Sequence, residues 1–161
     1  MTSRTSAALA AAAVLLMITA CGPSTESSSA TSVDLETWAA NTLPAVAEGG
    51  FSIAGSTGTD GSRATGSTTD VEPGWYAVTM ACAPADRGAD ADRSSGRISL
   101  SGEHGSYGEG DCAGSPVTTT VQLGAPDDTT PETVTVAAEA EGYEGYEAFW
   151  GVSAVPTTAP E

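Results

Sequence analysis

Trp75-Tyr76-Ala77-Val78-Thr79-Met80-Ala81-Cys82 places Tyr76, Val78, Met80 and Cys82 on one side of an extended chain. A helix would scatter these four around its circumference, so the stretch has to be a strand with one face against a core. Pro73-Gly74 marks the turn into it. Similar short alternating runs recur between turn-forming clusters: Phe51 to Thr57, Arg97 to Ser101 with Ile98 and Leu100 inward, Val117 to Leu123 with Val121 inward, and Thr133 to Ala140 with Val134 and Val136. A last run, Tyr146 to Val155, is apolar on both faces, with Ala148, Trp150 and Val152 on one and Phe149 and Val155 on the other. It is expected to lie centrally or beneath a helix, and Gly142 and Gly145 suit a hairpin joining it to its predecessor. The spacing predicts a mainly β fold, an antiparallel β-sandwich of about six strands over 51–155. The immunoglobulin signature is absent, because Gly110 stands where a corner tyrosine would and no tryptophan lies suitably between Cys82 and Cys112.

One helix is expected ahead of the sandwich, within 33–50. Leu35, Trp38, Ala39, Leu43 and Val46 fall on one helical stripe, and Thr31 or Ser32 suits the cap. Asp34 and Glu36 suit the first turn, and Gly49-Gly50 the end. Pro44 lacks the amide hydrogen of a helix interior, so a break is expected near Asn41 to Leu43. Trp38 is read as an anchor of the core. Residues 22–32 are rich in serine and threonine, a flexible tether, and 156–161 form a short tail.

Charge excludes several functions. Of 161 residues, 21 are acidic and five are arginines; lysine is absent, and the formal net charge is −16. Nucleic-acid binding needs clustered basic residues to displace phosphate counterions, and this chain has none. Docking on anionic lipid is disfavoured too, since like charges repel within a Debye length of roughly 8 Å.

The chain nevertheless opens with a segment suited to a membrane address. Arg4 precedes an almost wholly apolar run from Ala7 to Ile18, the length of a signal-peptide core and short of the ~20 residues a spanning helix needs. Ile18-Thr19-Ala20-Cys21 then resembles the lipobox of bacterial lipoproteins, an aliphatic residue and two small ones before a cysteine. The resemblance implies that 1–20 is a signal peptide and that Cys21 carries a diacylglyceryl group as the new N-terminus. Losing Arg4 takes the formal charge to about −17. Two acyl chains hold a protein stably where one does not, at ~0.8 kcal/mol per buried CH₂. With Cys21 lipidated, the other two cysteines of an exported chain, Cys82 and Cys112, are expected to form a disulfide.

Residues suited to chemistry are few. His104 is the single histidine, set in a glycine-rich stretch, and no serine stands in a Gly-x-Ser-x-Gly elbow. Zinc lacks ligands. Calcium has oxygen donors in Asp86, Asp90 and Asp92, in Asp127-Asp128, and from Glu103 to Asp111, none in the twelve-residue loop pattern. No catalytic residue, metal-ligand set or cofactor is assigned. Trp75, with Tyr143 and Tyr146 beside Glu141, Glu144 and Glu147, forms a possible ligand face for a sugar, although Trp75 suits core packing better. The expectation is an envelope lipoprotein on the extracytoplasmic face of the cell membrane, held by its lipid, that binds or interacts without catalysis. An envelope protein, a glycan or a cation is its expected partner; a small exported hydrolase is the less favoured alternative.

Overall fold

A computed structural model describes residues 33–59, 63–85, 96–125, 127, 129–139 and 147–160. One helix, α1 (Leu35–Thr42), is followed by eight strands: β1 (Phe51–Ser56), β2 (Ala64–Val71), β3 (Gly74–Pro84), β4 (Arg97–Gly102), β5 (Gly105–Asp111), β6 (Val117–Leu123), β7 (Glu132–Glu139) and β8 (Ala148–Pro156). β1 pairs with β8, β2 with β7, β3 with β6 and β4 with β5, all antiparallel, as in one long hairpin with its tip between β4 and β5. Further pairing of β3 with β8 and of β4 with β7 rolls that ribbon into two four-stranded sheets. The strand orders, β1-β8-β3-β6 facing β2-β7-β4-β5, are those of a jelly roll.

The β-sandwich is therefore as expected in kind, with two strands beyond the six expected. β2 and β5, reading ATGSTTDV and GSYGEGD, contain almost no large apolar residue and announce no period. The hairpin expected between the last two strands does not form. β7 and β8 belong to different sheets, and β8, apolar on both faces, needs a cover on the face turned away from the core. β8 finds β1 and β3 as neighbours and α1 as cover.

The core lies between the sheets. Tyr76, Val78, Met80 and Cys82 of β3 share its face as the alternation requires, opposite Ile98, Leu100, Val134 and Val136 of the other sheet. Each such aliphatic side chain contributes about 1.5–3 kcal/mol on burial. Trp150 of β8 is the largest of the group and 3 % exposed. Its indole lies against Gly55 of β1 and Gly66 of β2, where an added Cβ would stand 2.6 and 2.8 Å from the ring. Glycine at both positions is thus a matter of space, and one side chain ties the two sheets together. Tyr76 also donates its hydroxyl proton to the Glu72 carbonyl at 2.8 Å, fixing the bend into β3 as a corner tyrosine does. Cys82 and Cys112 are disulfide-bonded across a sequence separation of 30, joining β3 to a single 3₁₀ turn, Cys112–Gly114, between β5 and β6.

α1 is shorter than its stripe suggested. Asp34 caps it, accepting from the Thr37 amide at 2.9 Å and the Thr37 hydroxyl at 2.8 Å; these bonds hold its carboxyl below the usual range. Thr31 and Ser32, the expected caps, lie outside the described residues. The helix stops at Thr42, ahead of Pro44, so Gly49-Gly50 plays no part in ending it. No residue of α1 is fully buried. Leu35, Trp38, Ala39 and Leu43 are half-buried on its sheet side, while Val46, past the break, is 43 % exposed.

Candidate functional site

α1 rests on the outer face of β1 and β8. Trp38 meets Phe149 with ring centroids 5.7 Å apart and planes tilted by 47°. Leu43 and Trp38 close over Gly151, and Ser153, fully buried, donates to the Pro44 carbonyl at 2.9 Å. Trp38, expected to anchor the core, instead anchors the helix to the outer face of the sandwich. Because α1 covers one half of the sheet, a cleft of about 370 Å³ is left beside it. Val33, Trp38, Asn41, Thr42, Pro84 and Phe149 line it, with no ionisable side chain among the described lining residues. The volume suits a small ligand or one large side chain. Aromatic walls with one amide and one hydroxyl hold and orient; they neither donate nor abstract a proton.

The opposite end of the sandwich has a polar closure that the sequence did not disclose. Glu132, at the start of β7, is 4 % exposed. The Tyr107 hydroxyl lies 2.7 and 2.8 Å from its two oxygens and donates to the carboxylate, while the Glu103 amide donates to Oε2 at 3.2 Å. The Gly124 amide in turn donates to the Tyr107 oxygen at 3.1 Å. A Cβ on Gly102 would stand 2.5 Å from Glu132 Oε2 and 2.6 Å from Tyr107 Cε2. Burial raises the Tyr107 phenol above its ordinary value, and the hydrogen bond to Glu132 adds to that. The cluster joins the β4–β5 turn, β5, the end of β6 and β7, which makes it a clasp. In sequence Glu132 resembles any of the other acidic residues, and only contact distinguishes it.

The remaining expected site residues are dispersed. Trp75 is half-buried on the outer face of β3, opposite Gln122 of β6, and is not part of the inter-sheet core. Tyr143 and Tyr146 lie outside the described residues, as do Cys21, Glu141, Glu144, Asp86, Asp90, Asp92 and Asp128. Glu147 accepts at its carbonyl from the Ala85 amide, at the far end of β3 from Trp75. His104 and Asp127 are exposed, His104 in the β4–β5 turn. Glu103 and Asp111 stand at opposite ends of the β4–β5 pair. Among the described residues no three of His, Cys, Asp and Glu converge as a metal site. Arg63 and Arg97 meet Glu139 and Glu109 at 3.5 and 3.8 Å, exposed pairs worth little and too few to offset the acidic excess.

Fold and site together define an acidic jelly-roll domain with an aromatic cleft beside a surface helix. No protein-family model matches the chain, and neither does any curated protein or solved structure.

Proposed function

We propose that the chain is a lipid-anchored lipoprotein on the extracytoplasmic face of the cell membrane, whose jelly roll is a non-enzymatic binding and protein-interaction module. The observation that carries the module reading is the cleft beside α1, lined by Trp38 and Phe149 and by no ionisable side chain among the described residues. Attachment rests on Ile18-Thr19-Ala20-Cys21, with Cys82 and Cys112 bonded to each other and so not competing for modification. The tether 22–32 enters the domain at Val33, itself on the rim of the cleft. Fully extended, eleven residues span at most about 40 Å, which bounds how far the domain stands from its anchor.

Two measurements test the reading. Cys21→Ala is expected to leave the protein unprocessed or released from the membrane; normal processing and anchoring would refute the lipid anchor. Crosslinking on intact cells, followed by mass spectrometry, is expected to recover a defined envelope protein. A second reading, a glycan-binding face, is favoured by the half-exposed Trp75 directly opposite the Gln122 amide. Glycans that raise the melting temperature in the parent, but not in Trp75→Ala, would establish it.

A further inference from the structure

The four edges of the two sheets differ in how they resist pairing with another chain. On β2 the pairing slips between Thr68 and Val71, and Asp70 sits there with φ at 60°. β5 slips opposite Leu100 and Ser101 and carries Glu109 and Asp111. β1 is short, six residues, and has α1 packed against it. Bulges, charges and covers are the devices by which edges are kept single.

Among the described residues β6 has none of them. Val117–Leu123 meets β3 residue for residue, from Gly74 opposite Leu123 to Met80 opposite Val117, without a slip. It contains no charged residue, glycine or proline. Among the described residues β3 is its sole strand partner, so alternate amides and carbonyls of β6 face outward. Side-chain burial points the same way. Tyr76, Val78 and Met80 are buried, yet their cross-strand partners Val121, Thr119 and Val117 are only half-buried, with no strand beyond them among the described residues.

We propose that β6 is a docking edge, at which an extended cationic segment of a partner protein adds as a fifth strand of the sheet. The added strand would supply main-chain hydrogen bonds and complete the cover over Val117 and Val121. Charge selects the occupant. A second copy brings the same −16 and is repelled, whereas a basic segment is drawn to a domain of that net charge, with Asp127 exposed past the end of β6. The inference rests on the protein-interaction reading above and names its surface and class of partner.

Hydrogen exchange read by NMR on the full chain in detergent tests it, with a synthetic peptide of alternating valine and threonine flanked by lysines as the probe. Before addition, alternate amides of 117–123 should exchange rapidly, and the peptide should slow those amides by about tenfold or more. The same peptide flanked by glutamates, or interrupted by proline, should have no effect, and added salt should weaken the protection. Thr120→Lys, on an exposed outward position, should leave the melting temperature unchanged and weaken the lysine peptide. Absence of protection by the lysine peptide overturns the proposal. So does protection that appears with protein concentration alone, which would make a second copy the occupant. Crosslinking that still recovers a partner while β6 stays unprotected would reject the edge and keep the module.

Discussion

β7 and β8 are both inner strands, one in each sheet, and they are built differently. β8 buries every residue from Ala148 to Ala154, with Trp150 and Val152 toward the core and Phe149, Gly151 and Ser153 toward α1. β7 buries Val134, Val136 and Ala138 on its core face; on its other face Ala137 is buried, Thr135 half-buried, and Thr133 and Glu139 exposed. Around β7 the outer face continues in short polar side chains, Thr65 and Ser67 on β2 and Ser99 and Ser101 on β4. One sheet thus has a helix to cover it, whereas among the described residues no helix lies on the other. The difference teaches that α1, small as it is, decides which strand can afford two apolar faces, and where a cleft remains.

If Trp150 is what joins these unlike sheets, Trp150→Ala should cause the largest loss, about 3–5 kcal/mol in urea unfolding. Loss of less than ~1 kcal/mol would mean that the sheets hold together without the indole. Replacing Cys82 and Cys112 together by serine should cost about 3–4 kcal/mol, since the closed loop spans 30 residues in sequence. Unchanged unfolding in that variant would place the constraint elsewhere.

Tyr107→Phe tests the clasp at the far end of the sandwich. It removes the phenol from Glu132 and the acceptor from the Gly124 amide, at an expected cost of about 1–3 kcal/mol. It should also blunt alkaline unfolding. The folded pKa of Tyr107 is raised above the ordinary 10.0, so its contribution is complete below pH 10.0 and is lost as pH rises toward the folded value. Tyr76 is raised as well, by burial first and then by the charge of Glu72, so part of the alkaline loss should persist in the variant. Equal alkaline loss in both proteins would exclude Tyr107 as a source. Smallest of all should be Trp38→Ala, about 0.5–1.5 kcal/mol for the ring pair with Phe149. Amides of 35–42 should then exchange faster while those of both sheets hardly change; a uniform change would show that α1 and the sandwich unfold as one.

The strands legible in the sequence are those with a dry face dense in large side chains. β1, β3 and β8 of the sheet that carries α1 show as apolar runs, as do β4 and β7 at the centre of the other, while β6 shows only by the alternation of Val117, Val121 and Leu123 with threonines and Gln122. β2 and β5 are edges of that second sheet, where hydroxyls, glycines and acids meet solvent, so no period marks them. The candidate site was less legible. Trp38 and Phe149 were each visible as apolar residues, but their meeting across more than a hundred residues was not. Glu132 was invisible, since a buried carboxylate and an exposed one have the same letter.

By itself the chain determined where it alternates, where Pro44 stops its helix and how acidic it is. These are local properties, set by backbone sterics, side-chain period and charge. Tertiary structure decided the order of the strands, the parting of β7 from β8 into separate sheets, the cleft beside α1 and the Tyr107–Glu132 clasp. Each of these depends on side chains far apart in sequence competing for the same buried volume, which no local pattern records.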